Sequence, residues 1–180
     1  MKKIFLIVIT LVLSFGNIFG QTPLEYSRVI KKEGVSASDL FNQAKLWVSL
    51  TYRSAKDVIH FSENNHIIIK AIFIPNGTKL NFMTFSHNEI TYTLEIETRD
   101  GRFRVLMYNM RLISRINQQP SDIDFGVLMQ EDIPYNFPMQ ATGKQCKMII
   151  DDVKYKLNTL FESLVSSLSN SLGAKTEDDW

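Results

Sequence analysis

The stretch ITYTLEIETRDGRFRVLM, residues 90–107, decides the fold of this chain. Apolar and polar side chains alternate on both sides of Asp100-Gly101, a dipeptide that favours a tight hairpin turn. Because side chains alternate between faces along a strand, a two-residue loop fixes which residues face each other. The cross-strand pairs predicted in this way are Ile96 with Val105, Leu94 with Met107 and, on the other face, Glu97 with Arg104.

The segments before this hairpin predict further strands. Asn and Gly tolerate positive φ at little cost, and runs of such residues separate the extended segments. The predicted strands are residues 24–30, 58–63, 66–74 and 80–85, and the last three are divided by Asn64-Asn65 and Pro75-Asn76-Gly77. A two-residue turn at Asn64-Asn65 would place His66 opposite Glu63 and His60 opposite Ile69.

Two helices are predicted, one near each end of the chain. Ser36 or Ser38 can cap the first helix, whose apolar residues recur at helical spacing as far as Val48. The second helix runs from about Cys146 to Leu172, and Gly173 stops it. Each apolar stripe needs a sheet face to cover it. The predicted fold class is therefore α+β, an antiparallel sheet of about five or six strands with both helices on one face.

The N-terminal segment, residues 1–20, predicts an exported protein. Lys2 and Lys3 precede an apolar run that ends in small residues, which is the pattern of a secretory signal peptide. We expect cleavage near Gly20, leaving no stable membrane span and a periplasmic or secreted product. The alternative is that the segment stays uncleaved as a membrane anchor. The rest is predicted as one domain, residues 21–175, with a loop-rich insertion at 114–144 and an acidic tail at 176–180.

Charge and cysteine content argue against a nucleic-acid partner and against an internal disulfide. The chain has 20 basic and 19 acidic side chains and no basic stripe. Nucleic-acid binding depends on neutralising many phosphates, so we expect no nucleic-acid partner. Cys146 is the single cysteine, which rules out an internal disulfide and favours an inert small side chain there.

The strand–helix unit from Val29 to Trp47, the segment Ser54–Ile59 and the strands after it resemble a known family. It is a family of exported bacterial proteins of unknown function with a TATA-box-binding-protein-like fold. The resemblance covers residues 24–113 and contains no catalytic motif. It implies the fold and an exported setting, and no activity, cofactor or functional residue. It does not imply DNA binding, because function lies in sites carried by a fold.

The candidate catalytic and metal-binding residues lack the spacing that their chemistry needs. His60, His66 and His87 have no recognised ligand pattern, so no metal site and no cofactor are predicted. Two pairs of carboxylates, Glu95 with Glu97 and Asp151 with Asp152, could serve acid–base chemistry, but Arg104 and the helix start account for them. No catalytic residue is assigned. The interpretation we favour is a non-enzymatic domain, with an unrecognised envelope hydrolase as the alternative.

The strand from Phe103 to Ile113 carries the candidate interaction face, because both of its alternating sets are partly apolar. If Phe103 and Val105 face the helices, a second apolar set falls on the uncovered face of the sheet. This candidate face consists of Leu106, Tyr108, Met110 and Leu112. The alternative is that residues 114–144 cover it through Phe125, Leu128 or Phe137. The expected partner is an unidentified protein, an envelope component or a small apolar ligand, the last in a helix-grip-like carrier.

Overall fold

The computed structural model describes residues 22–75, 85–116, 122–130, 143–173 and 175–176. The predicted signal peptide, Phe137 and nearly all of the predicted strand at 80–85 lie outside these residues. The elements in chain order are β1 (Tyr26–Lys31), α1 (Ala37–Thr51), α2 (Ala55–Val58), β2 (Ile59–Glu63), β3 (His66–Phe73), β4 (Phe85–Arg99), β5 (Arg102–Ile116), β6 (Asp122–Val127), α3 (Gly143–Leu172) and β7 (Lys175–Thr176).

Seven antiparallel strands form one sheet in the described part of the chain. The order is β2-β3-β4-β5-β1-β7, and β6 pairs with the half of β5 that β1 does not reach. The central hairpin, β4 with β5, has the predicted register: Ile96 faces Val105, Leu94 faces Met107 and Glu97 faces Arg104. Gly101 adopts the positive φ, 74°, that its turn requires. The α+β prediction is confirmed.

The two long helices pack on one face of this sheet. Ser36 caps α1 by accepting a hydrogen bond from the Asp39 amide at 3.1 Å. In α3 the apolar stripe from Ile150 to Leu172 is buried, and Gly173 follows it with a φ of 59°. The Trp47 indole nitrogen donates to the Ser167 hydroxyl at 3.1 Å, which joins the two helices over the sheet. Within the described residues, no helix is both long and apolar enough to cross a membrane.

Part of the predicted loop-rich insertion belongs to the sheet. Strand β5 continues to Ile116, and β6 pairs with it over residues 111–115. Phe125 and Leu128 are almost completely buried and join the core cluster that the helices cover. They therefore do not cover the opposite face of the sheet. The alternative derived from the sequence, in which they would cover that face, is wrong for these two residues.

The hairpin of β2 and β3 confirms one predicted pair and corrects another. Asn64 and Asn65 both adopt positive φ, 52° and 65°, and His66 lies opposite Glu63 as expected. His60 does not face Ile69, because a register shift between Ile59 and Phe61 gives that place to Ile59. A β-bulge adds one residue to one strand, so a register counted from the turn is wrong beyond it.

Candidate functional site

A second bulge, at Asn109 in β5, splits the candidate interaction face. Thr93 pairs with Tyr108 and Thr91 pairs with Arg111, so β5 has two residues where β4 has only Tyr92. Asn109 adopts a φ of 52°, a conformation that asparagine tolerates better than most residues. The extra residue reverses the alternation of β5 beyond this point.

The prediction that Leu106, Tyr108, Met110 and Leu112 share one face is wrong for this reason. Met110 and Leu112 are 0% and 1% exposed and belong to the core under the helices. Leu106 and Tyr108 are half-buried on the opposite face of the sheet. We call the face opposite α1 and α3 the outer face. Its role as an interaction surface stays a prediction, and of the four residues only Leu106 and Tyr108 contribute to it.

The outer face carries a cluster of ion pairs centred on Glu97. The Glu97 side chain is only 10% exposed, although it lies on the face away from the helices. Arg99 donates two hydrogen bonds to Oε1, from Nε at 3.0 Å and from Nη2 at 2.8 Å. Arg104 donates from Nη2 to Oε2 at 2.8 Å. Both carboxylate oxygens are thus engaged, and the predicted pairing of Glu97 with Arg104 is present.

His66 and Tyr108 extend this cluster to Glu95. The His66 Nδ1 atom lies 3.4 Å from Glu95 Oε1, and its Nε2 atom lies 3.9 Å from Glu97 Oε1. A side-chain hydrogen bond also links Tyr108 with Glu95. The two carboxylates therefore have basic or hydroxyl partners within the sheet. This arrangement favours a structural role over acid–base catalysis, which needs a carboxylate free to exchange a proton with substrate.

The electrostatics of the cluster favour the ionised form of Glu97. Burial would raise the pKa of this carboxyl, but the hydrogen bonds and charges of Arg99 and Arg104, with a contribution from His66, outweigh burial and lower the pKa. The pKa of Tyr108 is raised, first by burial and then by the neighbouring Glu95. The tyrosine hydroxyl is therefore a donor at neutral pH, and Glu97 is an anion.

The Glu97 cluster predicts a specific pH dependence of stability. A carboxyl whose pKa is lowered by folding stabilises the folded state above its ordinary pKa of 4.5 and loses that contribution as pH falls through the folded pKa. We expect Glu97→Gln to destabilise the protein most at neutral pH. The difference from wild type should shrink as pH falls below 4.5.

Urea denaturation of both proteins across this pH range measures that difference. Taking the difference removes the contribution of Asp124, whose pKa is also lowered, mainly by its hydrogen bond from Arg111. A difference that stays constant with pH would show that the carboxylate charge of Glu97 does not stabilise the fold.

The remaining candidate residues are not brought together. His60 is exposed on β2, and Asp151 and Asp152 form helical ion pairs with Lys147 and Lys156 at 3.2 and 2.8 Å. The side chains of His87 and Cys146 lie outside the described residues. Across the described ranges, no group of three or more histidine, cysteine or acidic side chains could hold a metal ion.

A shallow groove of about 330 Å³ lies beside the Asn109 bulge. The paired segments Lys70–Ile72 and Thr91–Thr93 line it together with Asn109. Sequence analysis missed these residues because the groove depends on the bulge, and no pattern of apolar residues marks the bulge.

Comparison with known proteins agrees with this architecture. Residues 26–112 match the family described as a domain of unknown function (DUF4468) with TBP-like fold. Over these residues the chain resembles a DUF4468 domain. The matched segment extends from β1 as far as Leu112 in β5, and so contains α1, α2 and the strands β1 to β4. The resemblance inferred from the sequence is confirmed.

Two solved structures share the fold of this chain. A crystal structure of a TBP-like protein from Parabacteroides distasonis is 14% identical with a TM-score of 0.55, covering 82% of this chain and 94% of that one. A DUF4468 family protein from Bacteroides ovatus is 11% identical with a TM-score of 0.50, covering 91% and 92%. At such identities the likeness concerns the fold alone. No curated protein matches the chain.

Proposed function

We propose that this chain is an exported, non-enzymatic binding domain of the bacterial envelope that contacts a partner protein through the outer face of its sheet. The observation that carries the proposal is exposed apolar surface on that face. Phe61 and Ile72 are 41% and 59% exposed, and Ile68 and Leu106 are half-buried in the row of paired residues that begins at Phe61. Contiguous exposed apolar surface marks interaction sites on soluble proteins, and Phe61 and Ile68 are directly paired on neighbouring strands of this face.

The ion pairs around Glu97 support this use of the face. Because Arg99, Arg104 and His66 surround a nearly buried carboxylate, the side chains between the apolar residues are held in place before binding. A surface ordered in advance loses less conformational entropy when a partner binds. The same pairs commit Arg99 and Arg104 to Glu97, which disfavours a nucleic-acid partner despite the TBP-like fold.

The carrier alternative receives less support from the interior. Between α3 and the sheet, Val153, Leu157 and Phe161 are at most 2% exposed and belong to one core cluster. A small apolar ligand in that position would have to displace these side chains. The hydrolase alternative likewise receives little support from Glu95 and Glu97, since both carboxylates are engaged by neighbouring side chains.

Site-specific photocrosslinking in the bacterium that encodes the protein tests the proposal. A photoreactive residue replaces Ile72 on the outer face, and a matched variant carries it at Leu50, which is 76% exposed on α1. We expect a discrete crosslinked protein from position 72 and none from position 50. Fractionation of the same cells should recover the protein without residues 1–20 outside the cytoplasm. Adducts from position 50 alone, or none from position 72, would refute the proposed face.

A further inference from the structure

The groove beside the Asn109 bulge differs from the rest of the outer face in how its polar groups are satisfied. Around Glu97 the charged and hydroxyl groups bond to one another. In the groove, by contrast, the side chains of Lys70, Thr91, Thr93 and Asn109 form no hydrogen bond or ion pair within the described residues. Thr93 is only 4% exposed as a residue, and it contributes to the wall of the groove. These groups are therefore available to a ligand.

The chemistry of the lining restricts the class of ligand. Lys70 supplies one cation, the two threonines supply hydroxyls, Asn109 supplies an amide and Ile72 supplies an apolar wall. Among the residues that the structure describes, no carboxylate lines the groove. A ligand that fits carries one negative charge, several hydroxyl groups and an apolar C–H face. A volume of about 330 Å³ suits a small molecule of roughly monosaccharide size.

We infer that this groove binds the carboxylate and hydroxyl groups of a uronic-acid type of sugar. The inference goes beyond the proposed function, because it assigns a small ligand to one groove within the outer face. A zwitterionic amino acid fits less well, since the described lining residues include no carboxylate to pair with its ammonium group. Inorganic phosphate fits less well too, because its dense charge is typically bound by several cations or backbone amides.

The fold holds these groups in fixed positions. Lys70 pairs with Thr93 and Ile72 pairs with Thr91, so two neighbouring strands carry four of the lining residues. Asn109 comes from the bulge, and bulges often re-aim a side chain next to a binding site. Sites built on strands keep their geometry better than sites on loops.

Titration of the purified protein with sodium D-glucuronate, followed by amide chemical shifts, tests the inference. We expect saturable shifts at Lys70–Ile72, Thr91–Thr93 and Asn109. Lys70→Gln should weaken binding about tenfold, the usual size of one charge-assisted hydrogen bond. Lys56→Gln removes the same charge from an exposed site on α2 and should leave the affinity unchanged. D-glucose, which lacks the carboxylate, should also bind about tenfold more weakly.

Several results would overturn the inference. These are the absence of saturable shifts, equal affinity for D-glucose, equal affinity for inorganic phosphate, or unchanged binding by Lys70→Gln. The proposed function is judged separately, by the adduct formed from Ile72 in cells. If a protein is crosslinked at that position and glucuronate does not bind, the proposed protein-binding role of the outer face stands. The inference that the groove binds a sugar acid is then wrong.

Discussion

Met110→Ala is expected to lower the free energy of unfolding by about 2–5 kcal/mol, the range for removing a large apolar side chain from a packed core. Met110 is 0% exposed in the cluster beneath the helices, so its loss leaves a cavity. Leu106→Ala removes a side chain of similar size that is half-buried on the outer face, and about 1 kcal/mol is expected. Urea denaturation followed by circular dichroism measures both changes.

The contrast between these two variants tests the bulge itself. Asn109→Gly is the control, because glycine accepts the positive φ of 52° and should preserve the bulge with little change in stability. If β5 instead alternated without interruption, Leu106 and Met110 would lie on one face. The two alanine substitutions would then lower the free energy of unfolding by similar amounts. Equal losses, or a larger loss at Leu106, would restore the face predicted from the sequence.

The central hairpin could be predicted from the sequence because two independent constraints agree there. The alternation in residues 90–107 fixes which side chains share a face, and the Asp100-Gly101 turn fixes the register. The same constraints identified the pairing of Glu97 with Arg104. The helices were predictable as well, since Ser36 and Gly173 mark ends that the structure retains.

The bulges could not be predicted, for a physical reason. Leu106, Met107, Met110 and Leu112 are all apolar, so shifting the alternation by one residue gives a pattern that looks equally favourable. The position of the bulge coincides with a change in the strand pairing of β5. At Met110 the partner of β5 changes from β1 to the chain after β6, and the Leu128 amide donates to the Met110 carbonyl at 2.8 Å. No local pattern encodes this change of partner.

The candidate site was likewise predictable only where local sequence pattern determines it. Glu97 and Arg104 face each other across one turn, and their pairing follows from counting residues outward from Asp100-Gly101. His66 reaches the cluster from a different hairpin, so its position depends on how β3 pairs with β4. The groove could not be predicted from the sequence, because its lining combines two paired strands with a residue displaced by the bulge.

Phe161→Ala is expected to destabilise the protein by about 3–5 kcal/mol, the range for deleting a buried aromatic ring. Phe161 is 2% exposed in the middle of α3 and stacks on Tyr26 of β1, with ring centroids 5.6 Å apart and ring planes at 24°. This contact fixes the helix on the sheet, so its loss affects both elements. Thermal and urea denaturation of the purified variant measure the effect.

The Phe161 variant also separates a packed core from a ligand-holding one. Tyr26→Phe is the matched control, because it keeps the ring and removes only the hydroxyl that donates to the Lys154 carbonyl at 2.9 Å, at a cost of about 1 kcal/mol. In a carrier of the helix-grip type, the space beneath α3 exists to be filled by ligand, and enlarging it would cost little in the free protein. A loss near 1 kcal/mol or less for Phe161→Ala would therefore contradict the packed interior and favour the carrier. A loss in the full range favours an interior closed to ligands, which confines binding to the surface of the domain.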